Sequence, residues 1–295
     1  MLRIPDGKSV FLSSGSEAVD LSISISKHIT GRNRICIIDG SYLSAYGHGK
    51  DSLKDKTANK IPAENFEKLS SLNFEKIAAF VFEPGTAWRL IQFSSAGFVS
   101  AIVKKAKSAG SLIIVDEVTT GMCRTGKWFG FEHYSMNPDI VVCGKGLGNG
   151  YPVSSVSLSK KITKAFEEMP FRYAQSHQND PFACAVALQV IKEMDRKGLV
   201  TKTEEKGILF KSLLKETARK HNSIKEIRGR GLMIAIEFHE KDLAEKVHEY
   251  LFQHRMIAGL KSNVVRLMPP LIINDSLIHQ VVDAVDNSLV SLNPL

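Results

Sequence analysis

The sequence has no apolar run approaching membrane-spanning length, and its first residues, MLRIPDGKSV, lack the apolar stretch of a signal peptide. A cytoplasmic chain with no membrane attachment is the expectation. Cysteine is scarce and scattered: Cys36, Cys123, Cys143 and Cys184 form no CxxC pair, which points to reduced thiols rather than disulfides or a zinc site. The histidines show no HExxH or comparable ligand spacing, and His248 and His254 fall six apart on one helical stretch, off a common face. No metal is expected. The dinucleotide fingerprint GxGxxG, the phosphate loop GxxxxGK[ST] and the nucleophile elbow GxSxG are all missing. A net charge of +8 raises nucleic acid as a partner. However, Lys104, Lys105, Lys107, Lys202 and Lys206 sit between acidic or apolar helix positions, with no nucleic-acid-binding signature beside them. They read as solvated helix faces.

What is present is an ordinary globular composition, 43% hydrophobic and 24% charged, in 295 residues, long enough for a large core and two domains. One stretch organises the rest: LIIVDEVTTGMCRTGKWFGFEHYSMNPDIVVCGKGLGNGYP, residues 112–152. Its two short apolar runs, LIIV and IVV, are bounded by turn residues and deliver Asp116 and Lys145 near their C-terminal ends. A carboxylate and an amine on neighbouring strand ends, followed by glycines, suit a pyridinium cofactor. The carboxylate pairs with the protonated ring nitrogen, and the amine condenses with an aldehyde. Pyridoxal 5'-phosphate is the cofactor this pattern points to. A lysine in a glycine-rich loop is otherwise an exposed turn residue; the buried strand before it and Asp116 nearby raise it above that. Val118, two residues past Asp116, is placed to pack on one face of a planar ring.

Taken in order, residues 11–31 give a short apolar piece, then Ser13–Ser16, then a helix with Ala18, Leu21, Ile25 and Ile29 on one side. Gly15 and Ser16 fall in its first turn, where unpaired N–H groups and the helix dipole form a phosphate cradle; the plainer reading is an N-cap with a glycine turn. RICIID is a buried strand followed by the Gly-rich GSYLSAYGHG, in which Tyr42 is placed to stack on a ring, with Tyr46 or His48 as alternatives. IAAFVF is a strand ending at Glu83-Pro84, and residues 98–109 form an amphipathic helix. Residues of interest thus recur at C-terminal strand ends, the mark of an open, mostly parallel α/β sheet. Further on come a strand at 154–159, a charged helix at 160–168, an irregular loop FRYAQSHQNDP and one long helical region reaching Lys220. The texture then changes to strand, helix, strand and helix, so the expected division is a large α/β domain, 1–220, and a small α+β domain, 221–295.

These pieces resemble the class III pyridoxal-phosphate-dependent aminotransferases of fold type I. This group includes acetylornithine, ornithine and 4-aminobutyrate aminotransferases and glutamate-1-semialdehyde aminomutase. The matching segments keep the family's order: SGSEA at Ser14–Ala18, EP at Glu83–Pro84, VDEV-TG-RTG across Val115–Gly126 and PDIV-GKGLGNGYP across Pro138–Pro152. They continue with NDP-ACA-AL near Asn179–Leu188, RGRGL at Arg228–Leu232 and VRLMPPL at Val265–Leu271.

The resemblance implies roles. Lys145 carries the cofactor and shuttles the substrate proton, and Asp116 keeps the ring nitrogen protonated. Gly15 and Ser16 bind the phosphate, and Ser176 stands where the family has a threonine reaching the phosphate of the neighbouring subunit, which implies a homodimer. Tyr42 stacks opposite Val118, Glu83 lies near ring or substrate, and Arg266 holds a substrate carboxylate by a bidentate guanidinium. The implied activity moves an amino group from an amino acid or ω-amine donor to a 2-oxo acid, 2-oxoglutarate or pyruvate.

The sequence departs from the family at several points. Thr119 replaces a glutamine near the cofactor's phenolic oxygen, Leu43 and Ser44 replace the usual His-Gly, and Cys123 replaces a common glycine. The loop after Glu83-Pro84, which often helps set substrate choice, is altered. The family also carries a substantial segment before SGSEA, whereas this sequence begins almost at the phosphate loop. Two other readings therefore stand beside transamination: an aminomutase, racemase or decarboxylase on the same scaffold, and a shortened, inactive remnant.

Overall fold

The computed structural model describes residues 6–54, 57–86 and 90–292. The chain divides into two units: Met1–Gly85 with Ser94–Met122 and Phe129–Glu193, and Thr86–Phe93 with Cys123–Trp128 and Met194–Leu295.

The first unit runs β1 (Lys8–Leu12), α1 (Gly15–Thr30), β2 (Arg34–Ile38), α2 (Gly47–Lys54), β3 (Ala58–Ile61), α3 (Phe66–Ser71), β4 (Ile77–Phe82), α4 (Ala96–Ser108), β5 (Leu112–Asp116), β6 (Ile140–Cys143), β7 (Ser154–Leu158), α5 (Lys160–Glu168) and α6 (Pro181–Arg196), whose last turn crosses into the second unit. Its sheet has seven strands in the order β1-β7-β6-β5-β4-β2-β3. Strands β3, β2, β4, β5 and β6 run parallel; β7 pairs antiparallel with β6, and β1 antiparallel with β7. The expected mostly parallel sheet is what the chain forms.

The central strands are continuous apolar runs because both their faces are covered. Ile35, Ile37, Ala79, Val81, Ile114, Ile140 and Val142 share a buried cluster with Ala18, Leu21 and Ile25 of α1. Phe80, Ile113 and Val115 alternate with them, and Phe98, Val99 and Ile102 of α4 are buried too. Each fully buried branched or aromatic side chain contributes roughly 1.5–3 kcal/mol, so the sheet is a rigid platform for the groups at its C-terminal edge. Helix α1 starts where it does because the Ser14 hydroxyl accepts from Glu17 N–H at 3.2 Å while the Glu17 carboxylate accepts from Ser13 N–H at 3.0 Å.

The second unit contains α7 (Leu199–Lys220), β8 (Ile224–Arg230), β9 (Met233–Phe238), α8 (Lys241–Gln253), β10 (Gly259–Lys261), β11 (Val264–Leu267) and α9 (Asp275–Leu292). Its four strands are antiparallel in the order β10-β11-β9-β8. One side of this sheet shares a core with α7, α8 and α9 through Phe210, Leu214, Val247, Leu251, Ile278 and Val285. The helix expected to run unbroken to Lys220 is two helices, parted at Gly198, where φ is +59°.

Two short segments are tied into this second unit. Ile91 is fully buried against Met233, Ala235 and Val264. Arg228 donates to the carbonyls of Leu90 and Ile91 at 2.7–3.2 Å while pairing with Glu237 at 2.5 Å. Residues 87–89 of the altered loop lie outside the described residues. The 123–128 segment packs backbone to backbone against α7 and the β8–β9 turn. A methyl group on Gly207 would fall 2.3 Å from the Gly231 carbonyl oxygen, and one on Gly231 2.5 Å from Thr125 C. Arg124, whose pKa burial lowers to about 10, ties the segment to the Leu232 and Pro269 carbonyls.

Candidate active site

Strands β5 and β6 are parallel neighbours, so the groups at their C-terminal ends are neighbours too. Asp116 ends β5 and is buried, 6% exposed. Lys145 follows β6 after Gly144, in a left-handed backbone conformation with φ +41°. Such a conformation costs a residue with a side chain on the order of 1–3 kcal/mol and persists where surrounding structure imposes it, often at functional sites. The Lys145 amine donates to Thr119 Oγ1 at 2.5 Å.

The Asp116 carboxylate accepts from Val118 N–H at 3.0 Å. Burial pushes its pKa up to about 6, with the Val118 bond and the positive charge of Lys145 pulling the other way. A carboxyl poised there ionises readily once a cation sits against it.

Lys145 also lines a cavity of ≈ 530 Å³ with Ser13, Ser14, Gly15, Gly146, Asn149, Gly150, Tyr151, Pro152 and Val153. This brings the amine to the N-terminal end of α1. The first-turn N–H groups there lack intrahelical partners, and the helix dipole favours an anion. Val118 packs against Gly15, where an added Cβ would lie 2.7 Å from Val118 Cγ1, and it also borders Gly144. Glycine at 15 is therefore required by close approach. The donor set fits an aromatic aldehyde bearing a phosphate: a primary amine, a buried carboxylate, an apolar wall between them and a cradle of N–H and hydroxyl donors. The volume lies within the range of small-ligand sites.

The remaining expected residues are placed as follows. Tyr42, following β2, is 39% exposed, and its N–H donates to Glu83 Oε2 at 3.4 Å, so these two meet on the same sheet edge. The Ser16 hydroxyl accepts from Ala45 N–H at 3.0 Å. Ser176 lies in an exposed turn and does not line the cavity. The loop carrying it is pinned to β1 by Asn179, which exchanges two hydrogen bonds with Phe11 at 2.8 and 2.9 Å. Arg266 lies on β11 in the second unit, its guanidinium alongside Gly259, and burial lowers its pKa.

Glu117 escaped the sequence reading. It is fully buried. Its carboxylate accepts from Thr120 Oγ1 at 2.7 Å, Gly130 N–H at 2.8 Å and Phe131 N–H at 2.7 Å. Burial pushes its pKa up to about 7 against those three hydrogen bonds. The adjacent carboxylates in VDEV were the available signal, but two of the three partners lie 13 and 14 residues away in sequence.

Among the described residues no helix is long and apolar enough to cross a membrane, and no cluster of three or more His, Cys, Asp or Glu is arranged to hold a metal ion.

The comparisons with known proteins agree on one family. Residues 45–289 match the family described as Aminotransferase class-III. The acetylornithine aminotransferase of Caldanaerobacter subterraneus subsp. tengcongensis is 36% identical over 192 residues, covering 65% of this chain and 48% of that protein. A [LysW]-aminoadipate semialdehyde/glutamate semialdehyde transaminase of Sulfurisphaera tokodaii is 31% identical over 298 residues, covering 95% of this chain and 74% of that protein. The chain thus spans about half the length of one curated relative and about three quarters of the other. In fold it is similar to an aminotransferase of Bacillus anthracis, with a TM-score of 0.90 and 23% identity over 97% of this chain and 77% of that one. Enzymes of this class depend on pyridoxal phosphate. With its fold type I sheet and this match, the chain belongs to the class III aminotransferases.

Proposed function

We propose that this chain is a transaminase that moves an amino group from an amino acid or ω-amine donor to a 2-oxo acid, 2-oxoglutarate or pyruvate. The observation that carries the reading is the placement of Lys145. Its amine lines a cavity at the mouth of α1, just beyond the strand next to the one that ends at Asp116.

Pyridoxal 5'-phosphate, when bound, supplies an aldehyde that captures primary amines and a ring that takes up the electron pair left on the donor's α-carbon. The chain's own residues do the rest. Gly15 and Ser16 N–H groups hold the phosphate, and Val118 and Tyr42 cover opposite faces of the ring. Asp116 holds a proton on the ring nitrogen: its buried carboxyl is ionised by the cation it faces, so charge stays paired. Glu83 orients the Tyr42 backbone. Thr119 fixes the rotamer of Lys145, whose Nζ would take up the proton released from the donor's amine-bearing carbon and return it in the second half of the transfer. Arg266 holds a substrate carboxylate. Ser176 reaches the phosphate site of a neighbouring subunit, so the working form is a homodimer, placed in the cytoplasm. The first unit carries the cofactor groups, and the second carries Arg266.

The relatives are named for acetylornithine and for semialdehyde transamination. They favour amino transfer over an aminomutase, racemase or decarboxylase reaction, and they favour a donor whose reacting amine lies at the end of a carboxylate-bearing chain. The test is to load the chain with pyridoxal phosphate and assay ω-amine donors against 2-oxoglutarate and pyruvate. Formation of glutamate or alanine, abolished by Lys145→Ala, is expected. A folded, cofactor-loaded chain that forms neither with any donor contradicts the reading.

A further inference from the structure

Tyr46 has no part in the proposed function. Its phenol is 49% exposed, and its hydroxyl lies 3.3 Å from Ser14 Oγ, the N-cap of α1 and part of the cavity wall. The segment around it is held to α1 at two points and braced once within itself. The Ser16 hydroxyl accepts from Ala45 N–H at 3.0 Å, the buried Ser44 hydroxyl donates to Tyr46 O at 2.7 Å, and Asp20 Oδ1 accepts from His48 N–H at 2.5 Å. The segment carrying the phenol is therefore held along the first turns of α1, although it is polar and glycine-rich.

The proton bookkeeping gives this placement a direction. Ser14 Oγ accepts from Glu17 N–H at 3.2 Å and shares a hydrogen bond with Tyr46 Oη in which either hydroxyl can donate. With Ser14 as the donor, Tyr46 Oη keeps its own proton to donate onward. In that arrangement Glu17 N–H, Ser14 O–H and Tyr46 O–H form a series that starts on an amide lacking an intrahelical partner, and each bond polarises the next. Tyr46 Oη thus lies beside the first turn of α1, where the helix dipole favours an anion.

We infer that Tyr46 is a further phosphate-binding residue of this site: its hydroxyl, polarised through Ser14, donates to the phosphate of the cofactor. The inference rests on the cofactor reading above and assigns Tyr46 to the phosphate end of the site, apart from the ring.

The test compares pyridoxal 5'-phosphate with pyridoxal, which lacks the phosphate, binding to the wild-type chain and to Tyr46→Phe, read by the change in cofactor absorbance. Tyr46→Phe keeps the aromatic packing and removes only the hydroxyl. The expected result is about a tenfold weaker affinity for pyridoxal 5'-phosphate, the size of one hydrogen bond to a charged group, with pyridoxal affinity unchanged. Inorganic phosphate should compete correspondingly less well against the phosphorylated cofactor's site in the variant. Unchanged affinity for pyridoxal 5'-phosphate overturns the inference, and so does an equal loss for both compounds, which would place Tyr46 at the ring or in the fold. A folded wild-type chain that binds neither compound overturns the cofactor reading and this inference with it.

Discussion

Gly15 lies directly against the isopropyl group of Val118: a methyl group added at 15 would come within 2.7 Å of Cγ1 and 2.9 Å of Cγ2. The contact joins the first turn of α1 to the loop that follows β5, and so ties the anion cradle to the residue beside Asp116. Gly15→Ala is expected to push Val118 out of place, costing about 1–3 kcal/mol of stability and weakening cofactor affinity at least about tenfold. Denaturant unfolding and cofactor titration check the two effects separately.

Asp116 gives a pH signature in the absence of cofactor. Its folded pKa of about 6 lies above the ordinary 3.8, so the native state binds the proton more tightly than the unfolded chain. Its contribution to stability is fully present below pH 3.8 and is lost as pH rises through about 6, an amount of about 3 kcal/mol. Asp116→Asn should remove this part of the decline and leave the apoprotein more stable than wild type at pH 7.5 by about 1–3 kcal/mol. Glu117, with its pKa of about 7, retains its own decline between pH 4.5 and 7. Urea unfolding over a pH series reads both. An Asp116→Asn profile that overlays wild type contradicts this assignment.

The Thr119 hydroxyl is the group nearest in function to Lys145, at 2.5 Å. Thr119→Val keeps the shape and removes the acceptor, so cofactor affinity should fall about five- to tenfold; Thr119→Ser should stay within about twofold of wild type. If both variants behave alike, the hydroxyl has no part in orienting the amine.

The second unit has its own sensitive position. At Gly207 the obstructing atoms are the carbonyl oxygen and carbon of Gly231, at 2.3 and 2.5 Å, and backbone cannot swing aside as a flexible side chain does. Gly207→Ala is expected to cost about 3 kcal/mol or more, seen as a lower denaturation midpoint. A cost near zero would mean that α7 shifts freely against the β8–β9 turn.

Much of this arrangement was legible in the sequence, and the reasons are local. Strands β4, β5 and β6 announce themselves because parallel strands covered on both faces are unbroken apolar runs, and their turns place Asp116 and Lys145 at one edge. Strand β3, ANKI, gives no such signal: it is four residues long at the sheet margin and contains an asparagine and a lysine. Helix α2, GHGKDSLK, reads as loop, and only the Asp20 carboxylate, far back in the chain, receives the His48 N–H in its first turn. The break between α6 and α7 was hidden because apolar periodicity continues through Gly198. At the site, residue types declared the chemistry, whereas the partners of Glu117 and the Thr119–Lys145 bond arise from chain segments that meet only on folding. Cys123 makes the same point. It stands where the family commonly has glycine, and its φ of +68° is the backbone reason for glycine there.

The central claim is that Lys145, among all the lysines of the chain, is the amine that holds the cofactor. The measurement that tests it most directly is borohydride reduction of the chain incubated with pyridoxal phosphate, followed by peptide mapping. The account predicts a single dominant label on Lys145, in the peptide containing VVCGKGLGNGYP, and its disappearance in Lys145→Ala. A dominant label on another lysine, or none from a folded chain, would contradict it.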